Sequence, residues 1–272
     1  MKVAPTGARA TPRLVFGPSV QPGERVLPEE AAVALSFNGT TQAVMMATPA
    51  DLLDFGHGFA LTEGIAVPGE ILSVEVEPVP RGFDVQVWLH PEAEDRLAAR
   101  RRTMSGPVGC GLCGIDSIDQ ALREVPVVPP SAFRMTPAQV LAAVAALPGA
   151  QALHDATRAV HCAAFWAGGL VLAREDVGRH NALDKLVGGM VRSGRIAPAA
   201  GAVVLTSRVS TDMVQKVAML GAPMIIAVSA PTAEAVDLAD RAGITLVALA
   251  RGDRFEVFSH TDRLKMEQAH VG

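Results

Sequence analysis

The chain of 272 residues has no surplus of positive charge: 24 Lys+Arg stand against 28 Asp+Glu, a formal net charge of -4. No global field draws in a polyanion, so nucleic acid is disfavoured as a bulk partner. Cysteine is scarce, at three residues, and so low and odd a count builds no disulfide framework. It favours a reducing compartment and a chemical role for the thiols. The opening residues, Met1 and Lys2 followed by Pro5, Arg9, Pro12 and Arg13, lack the apolar core of an export signal. The longest apolar stretch, 217–228, is too short to cross a bilayer and is broken by Gly221 and Pro223. These shortages predict a cytoplasmic protein without a membrane anchor. Also missing are a P-loop, a G-x-G-x-x-G fingerprint, an internal repeat and any low-complexity tract.

What the chain has is apolar material, 49% hydrophobic against 19% charged, enough to fold as one or two domains of roughly 150 residues. Residues 1–27, rich in Pro, Gly and Arg without a period, read as a flexible tail passing into an edge segment. An α+β domain is expected over 28–104. Alternation over 32–37, the pair Asn38-Gly39 and a second extended run over 41–47 predict a hairpin, because Asn-Gly supplies the positive φ angles of a tight turn. Thr48-Pro49-Ala50-Asp51 reads as a helix start, with Thr48 as N-cap and Pro49 at the first turn, and the helix ends near Gly64. Strands are predicted over 71–79 and 83–89, then a charged helix over 91–102. Residues 105–130 form a glycine-rich loop and a proline-rich linker.

From 131 to 272 the text alternates. Thr136 caps a helix that runs to 147, and apolar strands over 159–166, 170–173, 202–206, 224–229 and 244–249 are interleaved with helices over 181–192, 211–220 and 233–242. Strands of this kind are covered on both faces, which predicts a three-layer α/β/α sandwich.

Chemistry gathers at few places. Cys110-Gly111-Leu112-Cys113 allows a redox dithiol, half of a zinc site, or a thiol that carries sulfur as a persulfide. Zinc wants three or four ligands, and Cys162 beside His161 with no second CxxC supplies too few. A redox pair should open a helix straight after a strand, whereas this loop follows a basic helix ending in Arg100, Arg101 and Arg102. The run Arg174-Glu175-Asp176-Val177-Gly178-Arg179-His180-Asn181, with Asp184 and Lys185 beyond, lies between a predicted strand and helix, where open α/β sheets bind ligands. Thr206-Ser207-Arg208-Val209-Ser210-Thr211 offers hydroxyls, an arginine and a helix N-terminus, the makings of an anion seat. Ser229-Ala230-Pro231-Thr232 and Ala250-Arg251-Gly252-Asp253-Arg254-Phe255 repeat the theme at the last two strand ends. His161 on its own reads as a core histidine.

Taken in order, Gly58-Phe59-Ala60-Leu61-Thr62-Glu63-Gly64, the CxxC with Gly114, the block from Glu175 to Lys185, Ser207-Arg208-Val209-Ser210, Met213-Val214-Gln215-Lys216 and Val228-Ser229-Ala230-Pro231 resemble the FdhD family. These are formate dehydrogenase accessory sulfurtransferases, and the likeness runs over about 28–260. The resemblance implies a cytidine-deaminase-like C-terminal fold and a homodimer. It implies a carrier that takes sulfur from a cysteine desulfurase and passes it to the molybdenum bis(molybdopterin guanine dinucleotide) cofactor of formate dehydrogenase, with a guanine nucleotide such as GDP as a mimic. Cys110 then matches the persulfide bearer and Cys113 the second loop cysteine. The cofactor-binding stretch falls on Ala250 to Phe255, and His161 gains a role from its His-Cys-Ala-Ala setting. Arg208, Ser210, Asp176 and His180 complete the expected cofactor contacts. Cys162, Ser207 and His57 depart from the family's usual Ala, Gly and aliphatic residues. Two other classes stay open on the residues alone: a noncatalytic chaperone that delivers the cofactor, and a metal-dependent deaminase or hydrolase.

Overall fold

The computed structural model describes residues 4–93, 96–98 and 125–265. Cys110 and Cys113, the basic run Arg100 to Arg102, and half of the helix predicted over 91–102 lie outside the described residues. No helix among the described residues is long and apolar enough to cross a membrane.

Regular structure begins where a plain tail was expected. β1 (Ala8–Phe16) and β2 (Val20–Pro28) pair antiparallel, with Phe16 opposite Val20 and Leu14 opposite Pro22. These apolar pairs share one side, while Arg13 with Gly23 and Thr11 with Arg25 share the other. Pro12 and Pro22 hid the strands in the sequence. A ribbon of two strands has only edges, where proline's missing N–H is tolerated.

The next sheet runs in the order β4-β3-β6-β5, built from β3 (Ala31–Phe37), β4 (Thr40–Ala47), β5 (Ile71–Val79) and β6 (Gly82–Leu89). Asn38 and Gly39 have φ of 46° and 75°, the tight turn their identities predicted. Between β4 and β5 lies α1 (Leu52–Thr62), whose N-cap is Asp51 rather than Thr48. Thr48 has been claimed by the rest of the chain: its hydroxyl accepts from the Val177 amide at 3.2 Å and its carbonyl from Lys185 Nζ at 2.8 Å. A helix apolar on most sides must be covered on most sides, and α1 is. Phe55 and Phe59 pack on the four-stranded sheet, while Leu61 enters the core of the second unit.

That second unit has a six-stranded sheet in the order β12-β11-β10-β9-β7-β8. α2 (Pro137–Ala145), capped reciprocally by Thr136 and Gln139, and the short α3 (Ala152–Thr157) precede it. Then come β7 (His161–Trp166), β8 (Leu170–Asp176), α4 (Arg179–Ser193), β9 (Ala202–Leu205), α5 (Thr211–Leu220), β10 (Met224–Ala227), α6 (Ala233–Arg241), β11 (Thr245–Arg251) and β12 (Arg254–Ser259). β9, β10 and β11 are parallel; β7, β8 and β12 run antiparallel to their neighbours. Alternate residues feed two cores. Val203 and Leu205 pack with α4, α5 and α6, whereas Ala202 and Val204 pack with Val140 and Ala143 of α2. The sheet is therefore covered on both faces, in three layers as expected.

Two boundaries differ from the sequence reading. β8 extends to Asp176, so Arg174, Glu175 and Asp176 are strand residues rather than loop. β12 was not foreseen: the stretch from Ala250 to Phe255 is the end of β11, a turn at Gly252 with φ 60°, and the start of β12.

The two units meet where α1 crosses α4. A Cβ placed on Gly58 would lie 1.7 Å from the Asp184 carbonyl oxygen, and one on Gly188 would lie 1.8 Å from that of Asp54. Backbone therefore touches backbone, and only glycine fits at either position. Around this crossing every buried charge finds an opposite. Lys216 Nζ donates to Glu63 Oε1 at 2.7 Å and to both Asp184 oxygens at 2.8 and 3.0 Å, and Thr62 adds a hydrogen bond to Asp184. Arg174 and Arg192 both pair with Asp54.

Candidate functional site

The parallel strands β9, β10 and β11 end along one edge of the six-stranded sheet, where β7 begins and β8 stops. The Cys162 amide donates to Thr206 Oγ1 at 2.9 Å and the Thr206 amide to the Cys162 carbonyl at 3.1 Å, which aligns the start of β7 with the end of β9. Helices α4, α5 and α6 all open at this edge, with Gly178, Ser210 and Thr232 as N-caps. Thr232 accepts from the Ala235 amide at 3.2 Å, but neither Gly178 nor Ser210 gives its helix a side-chain cap. The first-turn donors of α4 and α5 thus have no side-chain acceptor at the cap, and both helices point their positive ends at the same place.

Buried polar atoms there are short of partners. Among the described residues Arg179 Nε and Ser210 Oγ are buried here without a hydrogen bond, while His180 Nε2 and Asp212 Oδ2 meet each other. Native interiors leave few such atoms, so these two mark a place where a ligand can supply partners. His180 and Asp212 are each the second residue of their helix, and their ring and carboxylate meet face to face. Burial holds the His180 imidazole down, at about 4, against the upward pull of Asp212; Lys216 and Arg179 push it down further and Glu63 pulls it up.

The expected cofactor contacts divide on this geometry. His180 and Ser210 are in the cluster, and Arg208 stands exposed on its rim. His161, half-buried at the start of β7, faces Asp176 across the strand pair. Burial lowers its pKa, Arg179 and His154 lower it further, and Asp176 acts the other way.

Asp176 has another task. It is fully buried, its Oδ1 accepts from the Gly178 amide at 2.7 Å and from Asn181 Nδ2 at 3.0 Å, and its Oδ2 from Lys185 Nζ at 2.5 Å and the Thr48 amide at 3.0 Å. The carboxylate is saturated and ties the two units together, which corrects its reading as a ligand contact.

Ala250 is likewise fully buried, in the core beneath α2, so its side chain meets no ligand. Arg251, Gly252, Asp253 and Arg254 form an exposed turn. Arg251 Nε donates to the Val228 carbonyl at 3.0 Å, so the turn leans over the end of β10, and Phe255 is half-buried. With strands about 4.8 Å apart, the turn stands roughly 10 Å along the edge from the end of β9. One extended ligand can reach both.

Sequence reasoning placed Arg179 in the polar run at the strand end but not among the cofactor contacts, and it passed over Asp212. Their signal was positional: both stand at the opening of a helix that follows a strand ending at this edge. Cys162, the third thiol, is 1% exposed, and burial followed by the charge of Glu175 pushes its pKa up to about 12, which makes it a poor nucleophile.

Comparison with known proteins fits this picture. The FdhD/NarQ family pattern matches residues 28–265. A sulfur carrier protein FdhD of Agrobacterium fabrum is 56% identical over 245 residues, covering 89% of this chain and 90% of that one. Its counterpart in Brucella abortus is 51% identical over 247 residues, covering 90% and 91%. In three dimensions the chain resembles a provisionally assigned formate dehydrogenase accessory protein from Desulfotalea psychrophila, with a TM-score of 0.73 and 27% identity over 95% of this chain and 99% of that one. The family match runs through α1, both sheets and the strand-end edge, and on it this chain belongs to the FdhD/NarQ family.

Proposed function

We propose that the protein is a cytoplasmic, homodimeric sulfur carrier acting between a cysteine desulfurase and the molybdenum bis(molybdopterin guanine dinucleotide) cofactor destined for formate dehydrogenase. The Cys110 thiolate attacks the outer sulfur of the desulfurase persulfide. A new S–S bond forms at Cys110 as the donor's S–S bond breaks, and the desulfurase cysteine leaves as thiolate. Release follows when the Cys113 thiolate attacks the inner sulfur of the Cys110 persulfide. That forms a Cys110–Cys113 disulfide and expels the outer sulfur as hydrosulfide for the molybdenum centre; cellular thiols then reduce the disulfide. The cofactor is the substrate, held along the strand-end edge by its phosphates and guanine, with the Arg251–Arg254 turn at one end and α4 and α5 at the other.

The observation that carries the ligand half is the pair of partnerless atoms, Arg179 Nε and Ser210 Oγ, beside the His180–Asp212 contact and two helix N-termini without side-chain caps. A ligand rich in phosphate oxygens satisfies donors of this kind. For the sulfur half, the support is the name that the relatives carry, together with the burial that disqualifies Cys162.

Incubation with a cysteine desulfurase and cysteine, read by intact mass, is expected to add one sulfur atom to the wild type and none to Cys110→Ala. Sulfur retained by Cys110→Ala overturns the assignment. A Cys110/Cys113 double variant that still activates formate dehydrogenase would instead favour a cofactor-delivering chaperone.

A further inference from the structure

The β1–β2 ribbon is anchored at its base. Arg25 donates to the Thr157 carbonyl of α3 at 3.5 Å and the Glu29 amide to the Gly7 carbonyl at 2.7 Å, whereas every residue from 12 to 25 is exposed. A ribbon of two strands is marginal in water on its own. Its register gathers Leu14, Phe16, Val20 and Pro22 on one face and puts Arg9, Arg13 and Arg25 on the other. At the tip Phe16 is 77% and Leu14 60% exposed, so none of the described residues covers the apolar face. Pro12 and Pro22 interrupt the outer edges, which discourages a third strand from adding there. What remains to bind is the face. The FdhD/NarQ pattern begins at residue 28, where the ribbon ends, so the features shared by the family do not account for it.

A surface of matching chemistry lies elsewhere on the same chain. Where the C-terminal ends of α1, α4 and α5 converge there is a cavity of about 310 Å³, walled by Leu61, Val67, Val187, Met190, Ile196 and Leu220 among others. No charged side chain among the described residues lines it. An apolar cavity of about 150 Å³ already takes a benzene ring, so this one has room for a phenylalanine and a neighbouring aliphatic side chain. Helix C-termini carry partial negative charge, and the ribbon brings Arg9, Arg13 and Arg25 against Glu24 alone, in a chain whose net charge is -4. Apolarity and charge both match. We infer that the ribbon tip of one copy inserts Phe16 and Leu14 into this cavity of a second copy, which returns its own tip by two-fold symmetry. Nine residues per strand, at about 3.4 Å each, give the arm a reach of about 30 Å. Each copy carries both halves of the contact, so the exchange closes as a pair and leaves neither tip in water. The inference rests on the homodimer reading for its partner and adds which surfaces meet.

Photo-crosslinking of the full chain tests the contact directly. A benzophenone side chain replaces Phe16, nitrogen-15-labelled and unlabelled chains are mixed, and the irradiated peptides are mapped by mass. Position 16 is expected to join the 61–68, 187–198 or 219–220 stretch of the other chain, as mixed-isotope pairs. A crosslink confined to one chain, or to other surfaces of the second, overturns the proposal. Sedimentation equilibrium supplies the second measurement. Phe16→Glu changes the exposed tip and Val67→Lys the exposed rim of the cavity, so both variants keep the folded core intact. Each is expected to weaken self-association by at least about tenfold, because a buried aromatic anchor dominates an interface of this kind. If both variants associate as tightly as wild type, the arm exchange falls and the homodimer reading stands. If wild type is a monomer at all concentrations, both fall. A monomer that pellets with phosphatidylglycerol vesicles, and ceases to do so in Phe16→Glu, assigns the tip to a lipid surface and likewise overturns the proposal.

Discussion

Helix α4 runs through two regions that treat buried charge in opposite ways. Along its middle, Asp184, Lys185 and Gly188 face α1 in a junction where the buried charges are paired and the helix backbones touch. At its first turn, His180 meets Asp212 of α5, and Arg179 Nε and Ser210 Oγ are left without hydrogen bonds. A buried ionic group without a partner costs stability, so a chain that closes one region so completely and leaves the other unsatisfied has separated them by task. The junction holds the frame, and the edge is reserved for what binds.

The largest effect should come from breaking the junction. Lys185→Met leaves the Asp176 carboxylate buried without its cation, and is expected to lower unfolding free energy by about 3–5 kcal/mol in urea titrations. Gly58→Ala drives a methyl group into the Asp184 carbonyl and should cost up to about 3 kcal/mol or more, read as a lower midpoint of thermal unfolding. If either variant is as stable as wild type, the junction is not the lock described.

The junction should also respond to alkali. Asp184 is raised by burial, with Glu63 adding to it against the opposing pull of Lys216 and Thr62. For Lys216 burial pulls downward, but Asp184 and Glu63 outweigh it and the net shift is upward. Both groups hold their protons more tightly folded than unfolded, so their contribution is complete below their ordinary values and is lost as pH rises through the shifted ones. Stability should fall steeply once pH passes the ordinary lysine value of 10.5, and Lys216→Met should remove that steepness from urea midpoints measured across the alkaline range.

The edge should be nearly indifferent. Asp212→Asn is expected to change stability by no more than about 1.5 kcal/mol, because the nearly isosteric amide can keep an oxygen against the His180 ring. A loss as large as that of Lys185→Met would erase the contrast between the two regions. The smallest signal is chemical: alkylation of the native protein should leave Cys162 unmodified until denaturant is added, as peptide mass mapping would show.

Much of the frame was legible because it is written in local chemistry. Asn38-Gly39 makes its own turn and Thr136 with Gln139 makes its own cap, so neither needs the rest of the chain. Thr48 failed by the same standard: it has the spelling of a cap, but Val177 and Lys185 claim its polar atoms from more than a hundred residues away. The polar block from Glu175 to Lys185 announced importance without saying which residues face inward. Asp176 and Lys185 do, and they join the units, whereas Arg179 and His180 face the edge. Asp212 escaped notice because its meaning lies in a partner on another helix. β12 was missed because a turn carrying Arg, Gly and Asp resembles a ligand loop as closely as a hairpin.

The contact of Gly58 with Gly188 bears on which motions the molecule can make. Where main chains abut with no side chain between them, there is no lubricating layer on which one helix can slide past the other, and no room for α1 to swing. The two halves of this molecule travel as a single chassis. Whatever motion accompanies sulfur transfer has to arise in segments other than this joint.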